Sequence, residues 1–398
     1  MIQPTPGTPS LLRAINNRAA LQALLERGPL TRPEIGALTG LSKPTASQLL
    51  IRLQEAGLVV LDGIREGLPG RTAEVYRLNP AAAHVAALDV THAGIDVKVA
   101  DITGAVTGEH HLPGPGRSDD DALERVRAAL EGANAPAALR RVVIGVQGTI
   151  NPGTGKMAYA TSKDMPGWHI PDLVRTLGGG LGVPVSVEND VNLVAQAEQA
   201  HGVGRGHSDF VLLWADEGLG AALVLGGRLH RGATGGAGEV GYMPTPGAPT
   251  ARDTGRYANH GYQALTGGPA VLKILRSYGV RGTTPAQAVL NAVLTSASTG
   301  RRADDARAGL RDIASRLAVG LAAIISVVDP EIIVLTGGTL LSGGDTLREL
   351  VEHELHALTI PRPPVMLSTV EGNPVLAGAL DLALATARDE VFGSTVPS

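Results

Sequence analysis

The stretch "TRPEIGALTGLSKPTASQLLIRLQEAG", Thr31 to Gly57, leaves little freedom to the chain around it. It contains two helix starts and two helix stops in close succession. Thr31 and Glu34 have the spacing of a capping box, in which each side chain satisfies a backbone N–H left over at a helix start, and Pro33 suits the first turn. Gly40 stops that helix. Ser42 caps the next one, which has Pro44 in its first turn and Gly57 as its stop. Only Gly40 and Leu41 lie between them, so the two helices must meet through a tight turn and share a buried face, as in a helix-turn-helix. Upstream, Leu11, Leu12, Ile15, Ala19, Leu21, Leu24 and Leu25 recur at roughly helical spacing until Gly28-Pro29, a further helix to cover that face. Downstream, "LVVLDGI" and "AEVYRL" are β-rich and joined by "REGLPGRT", a hairpin wing.

The helix from Ser42 carries the chemistry of this head. Leu49, Leu50 and Leu53 fall on its buried face, leaving Lys43, Thr45, Ser47, Gln48 and Arg52 outside, concentrated towards the N-terminal half. Gln, Ser and Thr can bond base edges, and Lys and Arg reach phosphates. Arg65 and Arg71 flank the wing tip, positions suited to the DNA backbone or the minor groove. Residues 1–80 hold nine Lys/Arg against six Asp/Glu in a chain of net charge −4, so a basic head precedes an acidic body. The head is expected to bind double-stranded DNA. A three-helix protein-interaction module is the bland alternative, and the agreement of caps, turn and wing argues against it.

Residues 81–398 read as an α/β body. Apolar, β-branched runs stand at "VAALDV", "GIDVKVADI", "RRVVIGV", "VPVSVEN", "FVLLWA", "GAALVLGG" and "EIIVLTGG", with helical runs between the later ones and an antiparallel first pair. "LPGPGRSDDD" reads as a polar surface loop and the tail "FGSTVPS" as frayed. Apolar residues make up 43% of the chain and cysteine is absent, which excludes disulfides and thiolate metal sites and fits a reducing cytosol. No signal-like or membrane-length apolar run occurs, so the expected location is cytoplasmic, with no membrane partner.

Five segments carry a resemblance over nearly the whole chain: "VVIGVQGTINPGTGKM", "DMPGWHIPDLV", "VPVSVENDVNLVAQAE", "GLGAALVLGGRLHRGATGGAGEVGY" and "VVDPEIIVLTGG". In this order, behind a winged helix-turn-helix, they resemble the ROK family of repressors, open-reading-frame products and sugar kinases. The resemblance implies a body of the actin-like ATPase (ribonuclease H-like) fold with two lobes. It also implies a division into a DNA-binding domain, 1–80, and a sugar-kinase-like ligand-binding and dimerisation domain, 81–398.

The kinases' chemistry carries over unevenly. Their first phosphate hairpin is expected to read D-x-G-G-T-K, whereas here Asp89 is followed by Val90-Thr91-His92-Ala93, whose side chains obstruct a phosphate. The second loop resembles G-T-G-I-G but reads Asp216-Glu217-Gly218-Leu219-Gly220, with Glu217 placed where a γ-phosphate would sit. Asp190 matches the family's catalytic base and is read as vestigial, a carboxylate that bonds a sugar hydroxyl without chemistry; its bland role is a helix cap. The resemblance assigns ligand contacts to Gly148, Asp164 (where the family has Asn), Asn189, Asp190, Glu239, Tyr242 (where the family has a zinc-binding His) and Gln263 (where it has Glu). Without cysteine, His260 cannot rebuild the family's zinc site. The pairs His110-His111, beside a loop, and His353 with His356, two exposed histidines on a surface helix, are not expected to bind metal. No cofactor is expected.

These readings converge on a DNA-binding transcription regulator, a repressor, that senses a sugar or sugar derivative, acts as a homodimer or homotetramer and lacks kinase activity. Two alternatives are a DNA-binding dimer without a small-molecule ligand and an active sugar kinase. "LTGG" at Gly337-Gly338 and "GVQG" are hinge or ligand-approach segments in the leading reading and tight turns in the bland one.

Overall fold

The helices of the head form where their caps dictate. In the computed structural model, which describes residues 9–66, 72–114, 122–160, 165–255 and 258–393, α1 spans Pro9–Arg27 and ends where Gly28 turns left-handed. A short β1, Leu30–Thr31, leads into α2, Arg32–Thr39, whose start is the Thr31/Glu34 capping box and whose stop is Gly40 in the left-handed region. Helix α3, Lys43–Glu55, is capped by the Ser42 hydroxyl, which accepts from the Thr45 N–H. Leu21, Leu24, Ile35, Leu49, Leu50 and Leu53 meet in a buried core. The wing is β2, Val59–Glu66, against β3, Thr72–Leu78, antiparallel, and β1 completes a three-stranded sheet.

The body contains two five-stranded sheets of the same connectivity. The first is built from β4 His84–Val90, β5 Gly94–Asp101, β6 Val106–Pro113, β7 Leu139–Val146 and β10 Val185–Asn189, in the order β10-β7-β4-β5-β6. Helices α4, Ala122–Gly132, and α5, Leu173–Leu181, precede β7 and β10. Between them β8, Thr149–Ile150, and β9, Met157–Ala158, form a small antiparallel hairpin. Helix α6, Asp190–His201, follows β10 directly. The second sheet uses β11 Phe210–Ala215, β12 Leu219–Leu225, β13 Arg228–Leu229, β14 Ile332–Thr336 and β15 Val365–Leu367, in the order β13-β12-β11-β14-β15. Counted within each sheet, both read third, second, first, fourth, fifth. Two copies of one topology in a chain are the signature of the actin-like body.

Helices α7 Ala251–Thr254, α8 Gly261–Thr266, α9 Gly268–Ser277, α10 Pro285–Ser296 and α11 Arg301–Val328 separate β13 from β14. Helices α12 Gly338–Leu341, α13 Gly344–Leu358 and α14 Pro374–Gly393 complete the chain. The chain divides into two compact units, one of Met1–Ile144, Val174–Ser186 and Ala379–Ser398, the other of Gly145–Leu173 and Val187–Gly378. Among the described residues, no helix is long and apolar enough to cross a membrane.

Several local expectations change. Strand β6, polar enough to pass for a loop, is an edge strand, and it carries both His110 and His111. Alternation sends their side chains to opposite faces: His111 bonds Asp96 at 2.7 Å and the His110 ring lies against Gly132. His356 is not exposed but half-buried, bonded to the Pro363 carbonyl at 3.0 Å. The tail is only partly a tail, because α14 continues to Gly393 and Phe392 is buried. Most of "LPGPGRSDDD", from 115 to 121, lies outside the described residues.

The long helix α11 organises the second unit. Ala306, Leu310, Ile313, Ala314, Leu317, Ala318, Leu321 and Ile325 form one apolar stripe of helical spacing, buried against α9, α10, α13 and the second sheet. Gly320 interrupts the stripe to admit Tyr262. That ring is fully buried, its hydroxyl donates to the Leu317 carbonyl at 2.6 Å, and a Cβ on Gly320 would sit 2.2 Å from its Cζ. An exposed Gly→Ala in a helix gains about 1 kcal/mol. Here the ring is fixed by its hydrogen bond, and overpacking of this kind costs about 1–3 kcal/mol. Gly320→Ala is therefore expected to lower the unfolding free energy, against helix propensity, and denaturant melts of the two proteins check it.

Candidate functional site

The surface that α3 presents follows from its phase. With Ala46, Leu49, Leu50 and Leu53 inward, Lys43, Thr45 and Gln48 are exposed and Ser47 and Arg52 half-exposed. Two of the five are already engaged: the Thr45 hydroxyl lies 2.8 Å from that of Ser42, and Ser47 donates to the Lys43 carbonyl at 3.0 Å. Among the described residues, the side chains of Lys43, Gln48 and Arg52 make no hydrogen bond within the protein. The same face carries Ile51, 54% exposed, which the search for polar groups passed over. Its place one turn from Gln48 was the available signal, and an apolar group there suits a thymine methyl. Arg65 points back into the head, bonded to Glu34 at 2.9 Å and to the Pro29 carbonyl. Arg71 lies outside the described residues.

In the second unit, β10 ends on Asn189 and α6 begins on Asp190. The Asn189 side chain holds both: its Oδ1 caps α6 by accepting from the Asn192 N–H at 3.1 Å, and its Nδ2 donates to the Gly148 carbonyl at 3.1 Å. The bland reading of Asp190 as the cap is corrected, since the cap is Asn189 and Asp190 occupies the first helical position, accepting from the Val191 N–H at 2.8 Å. Gly148, at φ +101°, leaves room for Ala158 and Ala160, whose atoms lie 2.9 and 2.8 Å from where its Cβ would be. Glu239 stands close enough to Asp190 to feel its charge. Gly148, Asn189, Asp190 and Glu239 are thus brought together. Beside them the ring of Tyr242 lies 5.4 Å from that of His260 and 6.2 Å from that of Tyr159. Tyr159 was not expected; nor was the ion pair of Glu188 with Arg231 at 2.6 Å, which also receives the Asn192 amide at 2.9 Å. An acidic residue inside an apolar strand was the signal for Glu188. Asp164 lies outside the described residues, although its neighbours Met165 and Trp168 are buried anchors.

The Gln263 side-chain oxygen lies against Gly241, next to Tyr242, while its amide donates to the Glu217 carbonyl at 3.3 Å. That contact belongs to the turn at Asp216-Glu217-Gly218, where the second phosphate loop would be. Glu217 is exposed, and the carboxylate that occupies a backbone donor there is Asp216, which accepts from the Gly338 N–H. Burial, and then the charge of Glu217, raise the Asp216 carboxyl above its ordinary range. In the first unit, the hairpin at Thr91 consumes its own donors: Thr91 Oγ1 accepts from Ala93 N–H at 3.2 Å and Thr91 O from Gly94 N–H at 3.3 Å. The residues do not fit the zinc that the family resemblance implies. Tyr242 stands at the histidine position, and the His260 ring is buried against it.

Burial, followed by the charge of Asp190, pushes the Glu239 carboxyl from its ordinary 4.5 up to about 7. Between those values the native protein keeps a proton that the unfolded chain has released, so Glu239 lowers stability progressively as pH rises from 4.5 through about 7. Glu239→Gln is expected to stabilise the protein at pH 8, by up to about 3 kcal/mol, and to change little at pH 4.5, where the folded carboxyl is neutral and the unfolded one only half-ionised. Melts at the two pH values check this; an equal effect at both would mean that ionisation is not the cause.

The model of the ROK family matches residues 85–386, and a MarR family model matches residues 17–66. The xylose repressor of Caldicellulosiruptor bescii is 22% identical over 398 residues, 95% of this chain and 97% of its own. A glucokinase of Streptomyces coelicolor is 26% identical over 313 residues, 74% of this chain and 96% of its own. A crystal structure of a ROK family transcriptional regulator, a homologue of the E. coli MLC protein, shares the fold with a TM-score of 0.73 at 18% identity, covering 97% of this chain and 99% of that one. A winged helix-turn-helix head and a duplicated actin-like body, joined in this order, place the chain in the ROK family.

Proposed function

We propose that this protein is a cytoplasmic transcriptional repressor that binds operator DNA through α3 and the wing, and whose body binds a sugar or sugar derivative without phosphorylating it. The head is taken as residues 1–80 and the body as 81–398, acting as a homodimer or homotetramer on paired half-sites. One contrast carries the reading. The cluster of Gly148, Asn189, Asp190 and Glu239 is assembled, while backbone donors in the turns that correspond to phosphate loops are engaged internally, the Ala93 N–H by Thr91 and the Gly338 N–H by Asp216. Asp190 then acts as a hydrogen-bond acceptor for a sugar hydroxyl and needs no cofactor. The name of the xylose repressor relative supports the same direction, and the glucokinase relative is the reason to test for phosphoryl transfer.

A ligand at a hundred times its Kd stabilises the native state by about 2.7 kcal/mol. Melting the full chain with D-xylose, D-glucose and their phosphates, with and without Mg-ATP, is expected to give a shift of several degrees with a neutral sugar and none with Mg-ATP. The sugar that shifts the melt should weaken operator binding in a mobility-shift assay. Gln48→Ala should cost about 1–3 kcal/mol on operator and less on random DNA, whereas Lys43→Ala should weaken both and reduce the salt slope by about one. A melting shift or turnover with Mg-ATP would overturn the non-kinase reading. Sugars without effect on either melt or operator would overturn the sensor.

A further inference from the structure

Tyr159 has an environment that packing alone does not explain. It follows β9 with φ at +63°, a left-handed conformation that tyrosine rarely adopts and for which glycine or asparagine is the usual choice. Three glycines hold it there. The chain at Ala158 and Ala160 rests on Gly148; the Ile150 carbonyl would lie 2.7 Å from a Cβ on Gly235; and the Tyr159 ring lies directly over Gly236, its hydroxyl 2.6 Å from where a Cβ would be. The result is not burial. Tyr159 stays 41% exposed, with its ring tilted 46° to that of Tyr242. The glycine turn beneath it leads within three residues to Glu239, whose N–H bonds the Gly236 carbonyl at 3.3 Å and whose carboxyl faces Asp190. Backbone strain that exposes a flat apolar surface beside a set of hydrogen-bonding groups is characteristic of a binding site.

We propose that Tyr159 is a specificity-determining residue of the effector site, its ring packing against the C–H face of a pyranose whose hydroxyls are held by Asn189, Asp190 and Glu239. The inference rests on the sugar-sensing reading above and narrows it. A pyranose with every hydroxyl equatorial presents only C–H groups to either face and can lie flat on a ring. In the chair form the axial hydroxyls of D-mannose (at C2) and D-galactose (at C4) project from the same face; with that face seated on Tyr159, either hydroxyl would be buried against the ring without a partner, which is costly. In this orientation Tyr159 selects all-equatorial aldopyranoses such as D-xylose and D-glucose over the axial epimers D-galactose and D-mannose.

Calorimetric titration of the full chain with these four sugars tests it, using wild type, Tyr159→Phe, Tyr159→Ala and Tyr159→Asn. Tyr159→Asn relieves the backbone strain while removing the ring. Wild type and Tyr159→Phe are expected to bind the equatorial sugars within about twofold of each other, because the ring face is retained. Tyr159→Ala and Tyr159→Asn should each bind them about tenfold more weakly (~1.4 kcal/mol), with the preference over D-galactose and D-mannose largely lost. Asp190→Asn should weaken all sugars together and leave the preference in place. Unchanged affinity and preference in Tyr159→Ala would overturn the role of Tyr159 while leaving the sensor standing. A loss in Tyr159→Phe as large as in Tyr159→Ala would assign the effect to the hydroxyl and overturn the stacking. If wild type binds none of the four, the choice of sugar class fails; a melting shift with another sugar would show that the sensor reading survives it.

Discussion

The side-chain amide of Asn189 holds Gly148 and the start of α6 in register, because it bonds two backbone groups that the topology alone would not fix relative to one another. Its oxygen caps α6 and its nitrogen holds the Gly148 carbonyl. Helix α6 therefore starts where β10 stops, with no intervening loop, and Asp190 falls in the first helical turn, where the helix dipole favours a negative charge. Glu239 has no such support. It sits at the edge of a single 3-10 turn, is half-buried and lies close enough to Asp190 to feel its charge. Near neutral pH the two carboxyls differ in character, Glu239 being partly protonated and able to donate. A sugar hydroxyl both donates and accepts, and a charged acceptor next to a protonated donor matches it. An anionic ligand would face the Asp190 charge at short range with nothing gained.

The turns that correspond to phosphate loops have a similar local logic. A phosphate loop works by leaving N–H groups unsatisfied until a ligand arrives, which requires glycines and the absence of nearby acceptors. At Thr91 the hydroxyl of the loop's own side chain takes the Ala93 donor. At Gly338 the acceptor comes from Asp216 on the neighbouring strand end. Gly337 is required for a different reason: a Cβ there would lie 2.4 Å from the Ala215 carbonyl, so close packing of strand ends requires its absence whether or not a nucleotide binds.

How much was legible in the sequence depended on how local the physics was. The caps Thr31, Glu34 and Ser42, the stop at Gly40 and the buried leucines of α3 stand in the chain where they were read, because a helix start is decided within four residues. Strand β6 escaped notice because an edge strand needs no apolar run, and its two histidines were read as lying beside a loop. Tyr159, the Glu188–Arg231 pair and the Asp216–Gly338 bond join residues distant in sequence, and nothing in the spacing of either partner announces the other. The turn of Glu239 towards Asp190 is of the same kind, found only by matching each residue to a family position.

The segment between Tyr242 and Gly261 shows what replaces a structural constraint when its chemistry is gone. In the family such a segment is associated with cysteines and a histidine around zinc, and this chain has no cysteine. Here it closes through its backbone, with Gly261 N–H donating to Pro249 O and Tyr262 N–H to Met243 O, each at 2.9 Å, and with Thr250 and Asp253 forming a capping box at its far end. Gly261 is left-handed at φ +63°, and a Cβ there would come within 2.7 Å of the Met243 carbonyl. These bonds are individually modest, about 1 kcal/mol each, but they converge on Tyr262, whose ring is locked under α11 by Gly320 and Leu317. Tyr262 thereby anchors the loop in the hydrophobic cluster around α11. The anchored loop also holds Tyr242 and His260 ring to ring, their centroids 5.4 Å apart.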